Sequence, residues 1–115
     1  MKNRIVDTLV MVGIPVGMLG FKYIRDAIIL LNDGSHENPQ WTVLYMEIAE
    51  MHNVSFSSVE RAINLAFQSA RNLAKESEVY YGIVEHYLGF INTQNSKTLA
   101  LLNLRIKQDM EEEYE

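Results

Sequence analysis

Residues 45–71, YMEIAEMHNVSFSSVERAINLAFQSAR, constrain the fold more than any other part of the chain. They read as two helices joined by a tight turn, the second with a polar outer face. Ala49 is small enough to let the helices approach. Asn53, four residues on, tolerates the left-handed conformation that such a turn needs. Val54 and Val59 are placed as apolar pegs between the helices. Ser57 and Glu60 have the spacing of a capping box, which makes Ser57 the expected cap of the second helix. This is the pattern of a helix-turn-helix, whose second helix enters the major groove of DNA. Helical hairpins that bind no DNA share it, so the pattern alone leaves function open.

Helical periodicity continues on both sides and predicts an all-α, six-helix fold. A first helix is expected over residues 4–12, with Ile5, Leu9 and Val12 on one face. It ends at Gly13-Ile14-Pro15, because Pro15 disfavours helix at Ile14. A second, over 17–32, carries Leu19, Tyr23, Ile24, Ala27, Ile28 and Leu31 at helical spacing and is the expected central helix. Residues 32–35 read as a turn, and the segment to Pro39 as the longest loop. Trp41 opens the third helix, with Val43, Leu44, Ile48 and Met51 as its apolar face. The fourth covers 58–74. The fifth covers 77–88 and stops at Gly89, a residue suited to a helix C-terminus. After a polar loop at 92–96, the last helix covers 97–111 with Leu99, Leu102, Ile106 and Met110 as a seam. The expected organisation is a single domain, 1–115, with the helix-turn-helix at about 43–74 and an acidic tail at 111–115.

Charge argues against a nucleic-acid partner at first sight, since the chain carries a net charge of -5 and such domains are usually basic. The acids are unevenly spread, however. Glu111, Glu112, Glu113 and Glu115 set aside, ten basic residues face eleven acidic ones. The body is close to neutral, and charge on one face governs DNA binding more than the total. The tail reads as a solvated helix end that would repel DNA if it folded beside the reading face. The chain has no cysteine, so disulfides and thiolate chemistry are excluded. No apolar run reaches the roughly eighteen residues of a membrane span. The N-terminus is basic and then apolar, as in a signal peptide. Gly13 and Pro15 break that run and no clean cleavage site follows, so it reads as a helix and the expected location is cytoplasmic.

On the fourth helix Val59, Ala62, Ile63, Ala66, Ala70 and Leu73 form the expected buried stripe. Ser58, Arg61, Asn64, Gln68 and Arg71 fall on another face. These side chains have groove chemistry: arginine grips guanine in a bidentate fashion, and asparagine or glutamine does the same for adenine. Leu65 lies beside them, placed to meet a thymine methyl. Glu60 either accepts from cytosine or buttresses Arg61. Ser57 and Ser58, at the helix start, are candidates for base or phosphate contacts. An ordinary amphipathic helix with a solvated face has the same spacing, and the capping box and preceding turn are what favour DNA.

Other chemistry is weaker. His36, His52 and His86 lack metal-site spacing and read as surface or capping residues. Asp33, Ser35 and Glu37 do not make a calcium loop. Gly13, Gly17 and Gly20 fit neither nucleotide-binding pattern and read as points of close helix crossing. Tyr80 and Tyr81 read as one partner-facing and one core residue. No cofactor, metal or catalytic constellation is expected, and the chain is not read as an enzyme.

The chain resembles the C-terminal effector domain of the stage-zero sporulation response regulator, the master transcription factor family of endospore formation. The marks are Gly13-Ile14-Pro15, the run GFKYIRDAI at 20–28, Leu44-Tyr45 with Ile48-Ala49, Val59-Glu60-Arg61-Ala62-Ile63, and Asn95-Ser96 before the last helix. The resemblance covers nearly the whole chain. It implies six helices and sequence-specific binding of double-stranded DNA at short boxes, often as a tandem homodimer. Glu60 and Arg61 match the family's reading positions, and Lys97 is a phosphate candidate by analogy of position. The family usually has arginine where this chain has Ser58 and Asn64, so the reading face has two cations fewer for phosphate and guanine contacts. It also carries a phosphoacceptor receiver domain before this region. The present sequence therefore reads as the effector part of a longer protein or as a free-standing effector. The family touches RNA polymerase sigma factor at about 75–87, where this chain diverges, and that role is not carried over.

Two functions follow as expectations. The first is a sequence-specific transcriptional regulator domain with double-stranded DNA as partner. The second is a degenerate helix-turn-helix that acts on protein, such as a full-length family member, without specific DNA binding.

Overall fold

A computed structural model of the protein describes residues 1–34 and 40–113. Within them six helices follow one another: α1 (Lys2–Met11), α2 (Leu19–Leu31), α3 (Trp41–His52), α4 (Phe56–Ala74), α5 (Glu78–Tyr87) and α6 (Asn95–Glu113). No strand occurs among the described residues, and the fold is all-α as the periodicity predicts. The loop expected up to Pro39, with His36, lies outside the described residues.

Helix ends are set by local chemistry. At the end of α1, Gly13 takes a left-handed φ of +88°. Its N–H donates to the Val10 carbonyl, while the N–H of Ile14 reaches the Leu9 carbonyl at 3.1 Å. That pair of bonds is a Schellman closure, sealed by buried Leu9 and Ile14. Gly13 therefore ends the helix, and Pro15 only follows it. The same closure ends α3. Asn53 sits at φ 53° and ψ 49°, with its N–H on the Glu50 carbonyl and that of Val54 on the Ala49 carbonyl. Gly89, at φ +73°, closes α5 as expected.

The central pair is α2 and α4, which make the most extensive helix contact. Gly20 explains how close they come. A Cβ there would lie 2.2 Å from the Ala62 carbonyl oxygen and 2.6 Å from the Ala66 Cβ. Of the three glycines read as crossing points, Gly20 alone has this role. Gly13 is a turn residue, and Gly17 has open space around it. Around this pair the core gathers Ile5 and Leu9 of α1, Tyr23, Ile24 and Ile28 of α2, Leu44 and Ile48 of α3, Val59, Ile63 and Phe67 of α4, Val84 of α5, and Leu99, Leu102 and Ile106 of α6.

Several expected core positions are surface. Leu19, Val43, Met51, Val54 and Leu73 are exposed, as are both Tyr80 and Tyr81. Spacing predicts a stripe but not its width, and each of these lies where no neighbouring helix covers it. Phe67, Arg71 and Ala74 are buried instead. Gly20 holds α2 against Ala62 and Ala66 of the predicted stripe, and the buried face of α4 widens to take in Phe67, Arg71 and Ala74.

Candidate nucleic-acid interface

The start of α4 corrects the expected cap. Ser55, not Ser57, is the N-cap: its Oγ accepts from the Ser58 N–H at 3.1 Å and lies 2.8 Å from the Ser58 Oγ. Glu60 accordingly takes no part in a capping box. The helix begins at Phe56 because that ring packs edge-on against Tyr45 of α3, with centroids 5.8 Å apart, which draws the first turn in ahead of Ser57. Satisfying one orphan N–H in this way contributes about 1 kcal/mol.

With the helix starting there, Ser57, Arg61, Asn64 and Gln68 share one outward stripe, which continues through Asn72 to Lys75. Ser57, Arg61 and Gln68 are exposed and Asn64 is half-buried. Arg61 makes no hydrogen bond or ion pair with any described residue, so its guanidinium is free for a partner. Ser58 lies to the side of the stripe, engaged in the cap. Glu60 is exposed on the opposite shoulder. Lys97 stays exposed on the first turn of α6, outside the clefts beside α4.

Arg71 does not belong to the outward face. It is 7% exposed. Its Nε donates to the Gly89 carbonyl at 2.8 Å, and its Nη2 donates to the Leu88 carbonyl at 3.2 Å and the Thr98 hydroxyl at 2.8 Å. A cation at the carbonyl end of α5 is favoured by the helix dipole. Burial lowers its pKa, yet guanidinium remains protonated. Arg71 thus clamps the α5–α6 connection onto α4. Spacing could not distinguish it from Arg61, because the covering segment lies seventeen or more residues away in sequence.

That connection forms one wall of a trough along α4. Its first part is a cleft of about 660 Å³ lined by Tyr45, Ser57, Arg61, Asn64, Thr93 and Asn95, among others. A second part, about 340 Å³, continues past Asn64 and Gln68 to Arg71, Asn72 and Lys75. Asn64 and Thr93 line both. Asn95 ties the wall to the helix, its Nδ2 donating to the Glu60 carbonyl at 2.8 Å. Asn72, Lys75 and the 90–96 wall were not among the residues expected from sequence. Extending the stripe beyond Gln68 by the same steps of three and four would have reached Asn72 and Lys75.

The turn before α4 is braced from α2. His52, read from sequence as a surface or capping residue, lies half-buried with its Nε2 2.5 Å from the Oδ2 of buried Asp26. Its ring lies 5.0 Å from that of Tyr23. Arg25 donates to the other oxygen of Asp26 at 3.2 Å from both Nε and Nη2. Among the described residues no group of three His, Asp or Glu side chains is placed to hold a metal ion.

The described part of the acidic tail, residues 111–113, lies away from the trough. Glu113 pairs with Arg4 of α1, and α6 rises about 27 Å from Asn95 to Glu113. The feared repulsion at the reading face is therefore weakened by distance and screening. No helix among the described residues is long and apolar enough to cross a membrane.

Two helices closed by a left-handed turn, the second capped by serine and polar along its outer side, define an all-α helix-turn-helix domain. The family described as "Sporulation initiation factor Spo0A C terminal" matches residues 5–106, and the chain belongs to it. This is a family of DNA-binding effector domains of sporulation regulators, not of enzymes.

Proposed function

We propose that the chain binds double-stranded DNA in a sequence-specific manner and regulates transcription, with the first half of α4 in the major groove. The observation that carries this is Arg61: exposed, unpaired, and in one stripe with Ser57, Asn64 and Gln68. Arg61, Asn64 and Gln68 are the base-reading residues. Ser57, Ser58 and Glu60 border the groove, and Lys97 meets phosphate. Binding as a homodimer on tandem boxes fits the family to which the chain belongs.

A second reading is favoured by Leu65, which is 45% exposed beside the stripe. An apolar side chain there, with Ser58 and Asn64 in place of cations, also suits a module that contacts protein, such as a full-length relative.

Selection from a randomised duplex library at low and moderate salt separates the two. A DNA reader enriches a motif, and its affinity falls steeply with salt as counterions are released. Arg61→Ala should abolish that enrichment. Weak salt-sensitive binding without a motif would move the assignment to the protein-contacting reading, whose apolar contact has little salt dependence.

A further inference from the structure

We propose that the cleft between the second half of α4 and the α5–α6 connection holds one backbone phosphate of the bound duplex, gripped by Lys75 and the free edge of the Arg71 guanidinium. This rests on the DNA-binding reading above and adds a contact outside the base-reading residues.

Three observations converge. The first is chemical. The cleft is lined by two cations, Arg71 and Lys75, with the amides of Gln68 and Asn72 and the hydroxyl of Thr93, and no acid is among its lining residues. In a chain of net charge -5, an acid-free cleft of donors is a local reversal of sign, and such concavities concentrate anions. The second is the hydrogen-bond state of Arg71. Its Nε and Nη2 are taken by two carbonyls and a hydroxyl, whereas Nη1 makes no hydrogen bond with any described residue. Nη1 is also not among the buried atoms without a partner, so it is not fully enclosed. Among the described residues no carboxylate pairs with this guanidinium, which leaves its charge available. The third is geometry. Lys75 lies fourteen residues beyond Arg61, about 21 Å along the helix axis, and the major groove is only about 12 Å wide. A helix whose first half meets bases carries Lys75 beyond the groove edge, to the level of the flanking phosphodiester backbone.

A phosphodiester suits the donor set better than a carboxylate partner. It offers two anionic oxygens to a fixed guanidinium edge and a mobile ammonium. Lys75 also sits at the C-terminal end of α4, where a cation is favoured by the helix dipole without any ligand. The test must therefore read something that a purely structural lysine would not change.

The experiment uses the duplex enriched by wild-type protein and measures affinity from low to moderate salt for wild type, Lys75→Ala and Lys75→Glu. It adds duplexes in which single phosphates are replaced by neutral methylphosphonates. The expected result is roughly a three- to tenfold weaker affinity for Lys75→Ala, a salt slope shallower by about 1, and an unchanged base motif. Lys75→Glu should lose more. One flanking methylphosphonate should weaken wild type and have no further effect on Lys75→Ala. Thermal unfolding should change little, because Lys75 is exposed and its dipole contribution at an exposed helix end is at most about 1 kcal/mol. If the lysine variants bind the enriched duplex with wild-type affinity and slope, the phosphate site is overturned while the DNA reading stands. If no duplex is enriched at all, both fall together.

Discussion

The side-chain amide of Asn95 donates to the main-chain carbonyl of Glu60 at 2.8 Å, joining the first turn of α6 to the second turn of α4. The bond holds the 90–96 wall at a fixed distance from the outward stripe. Asn95→Ala should cost about 1 kcal/mol, the net value of one such bond, measured by urea denaturation. It should also weaken DNA binding severalfold without altering the selected motif, since no base-facing side chain has changed. A changed motif would mean that Asn95 itself reads a base.

Gly20 offers a sharper stability test. Any side chain there meets the Ala62 carbonyl oxygen and the Ala66 Cβ, neither of which is the free end of a flexible group. Gly20→Ala must push α2 away from α4 and should cost about 3 kcal/mol, at the upper end of overpacking effects. That corresponds to roughly a 10 °C fall in melting temperature for a domain of this size. A melting temperature within a degree or two of wild type would show that the α2–α4 crossing is looser than described.

Arg71 should behave as a structural clamp first. Arg71→Met retains an apolar stem but strands the carbonyls of Leu88 and Gly89 and the Thr98 hydroxyl, all now without their donor. The expected loss is about 2–4 kcal/mol in denaturant unfolding. Arg71→Lys should recover less than half of it, because one ammonium cannot reproduce the planar fork.

The helices were legible because Ile5/Leu9, Tyr23/Ile24/Ile28 and Leu99/Leu102/Ile106 repeat at helical spacing, and the turn because Asn53 is one of few residues suited to its conformation. Ser57 reads as the cap because 57–60 alone has the acid that a capping box calls for, whereas 55–58 has serine at both ends. Only the packing of Phe56 on Tyr45 selects between them. Arg71 and Arg61 are the same residue type on adjoining faces, and their different fates depend on a connection that folds back from beyond α5. His52 likewise gains its partner Asp26 from twenty-six residues upstream. Local pattern fixes which faces are apolar, but partners brought by tertiary packing have no local signature.

Two tyrosines predict an alkaline limit. Burial, reinforced by the nearby Glu60, pushes Tyr45 up to about 12. Tyr87 is also raised to about 12, by burial first and then by its 2.6 Å hydrogen bond to Asp109. Both folded values lie above the ordinary value of 10.0, so the neutral phenols favour the folded state. Their contribution is complete below pH 10 and is lost as pH rises from there through about 12. Unfolding free energy should therefore decline across that window, with phenolate absorbance lagging behind a free tyrosine. Tyr45→Phe should flatten part of the decline. It should be neutral or stabilising at pH 7, because the Tyr45 hydroxyl is buried without a hydrogen-bond partner among the described residues.

The two positions where the resembling family carries arginine provide the most direct test of how α4 lies on DNA. Ser58 flanks the stripe and Asn64 sits half-buried on the floor of the trough, where its two parts meet. An arginine at 64 is long enough to leave that floor and reach past Arg61 and Gln68. One at 58 retains the Ser55 cap, because the bond to the main-chain N–H of residue 58 remains. The double variant Ser58→Arg, Asn64→Arg should therefore fold, bind DNA more tightly, and show a salt slope steeper by about 2, one unit per added phosphate or guanine contact. Its selected motif should gain guanines at the positions these residues face. A slope and motif identical to wild type would place both residues away from the duplex and overturn the assignment of this face of α4 to the groove.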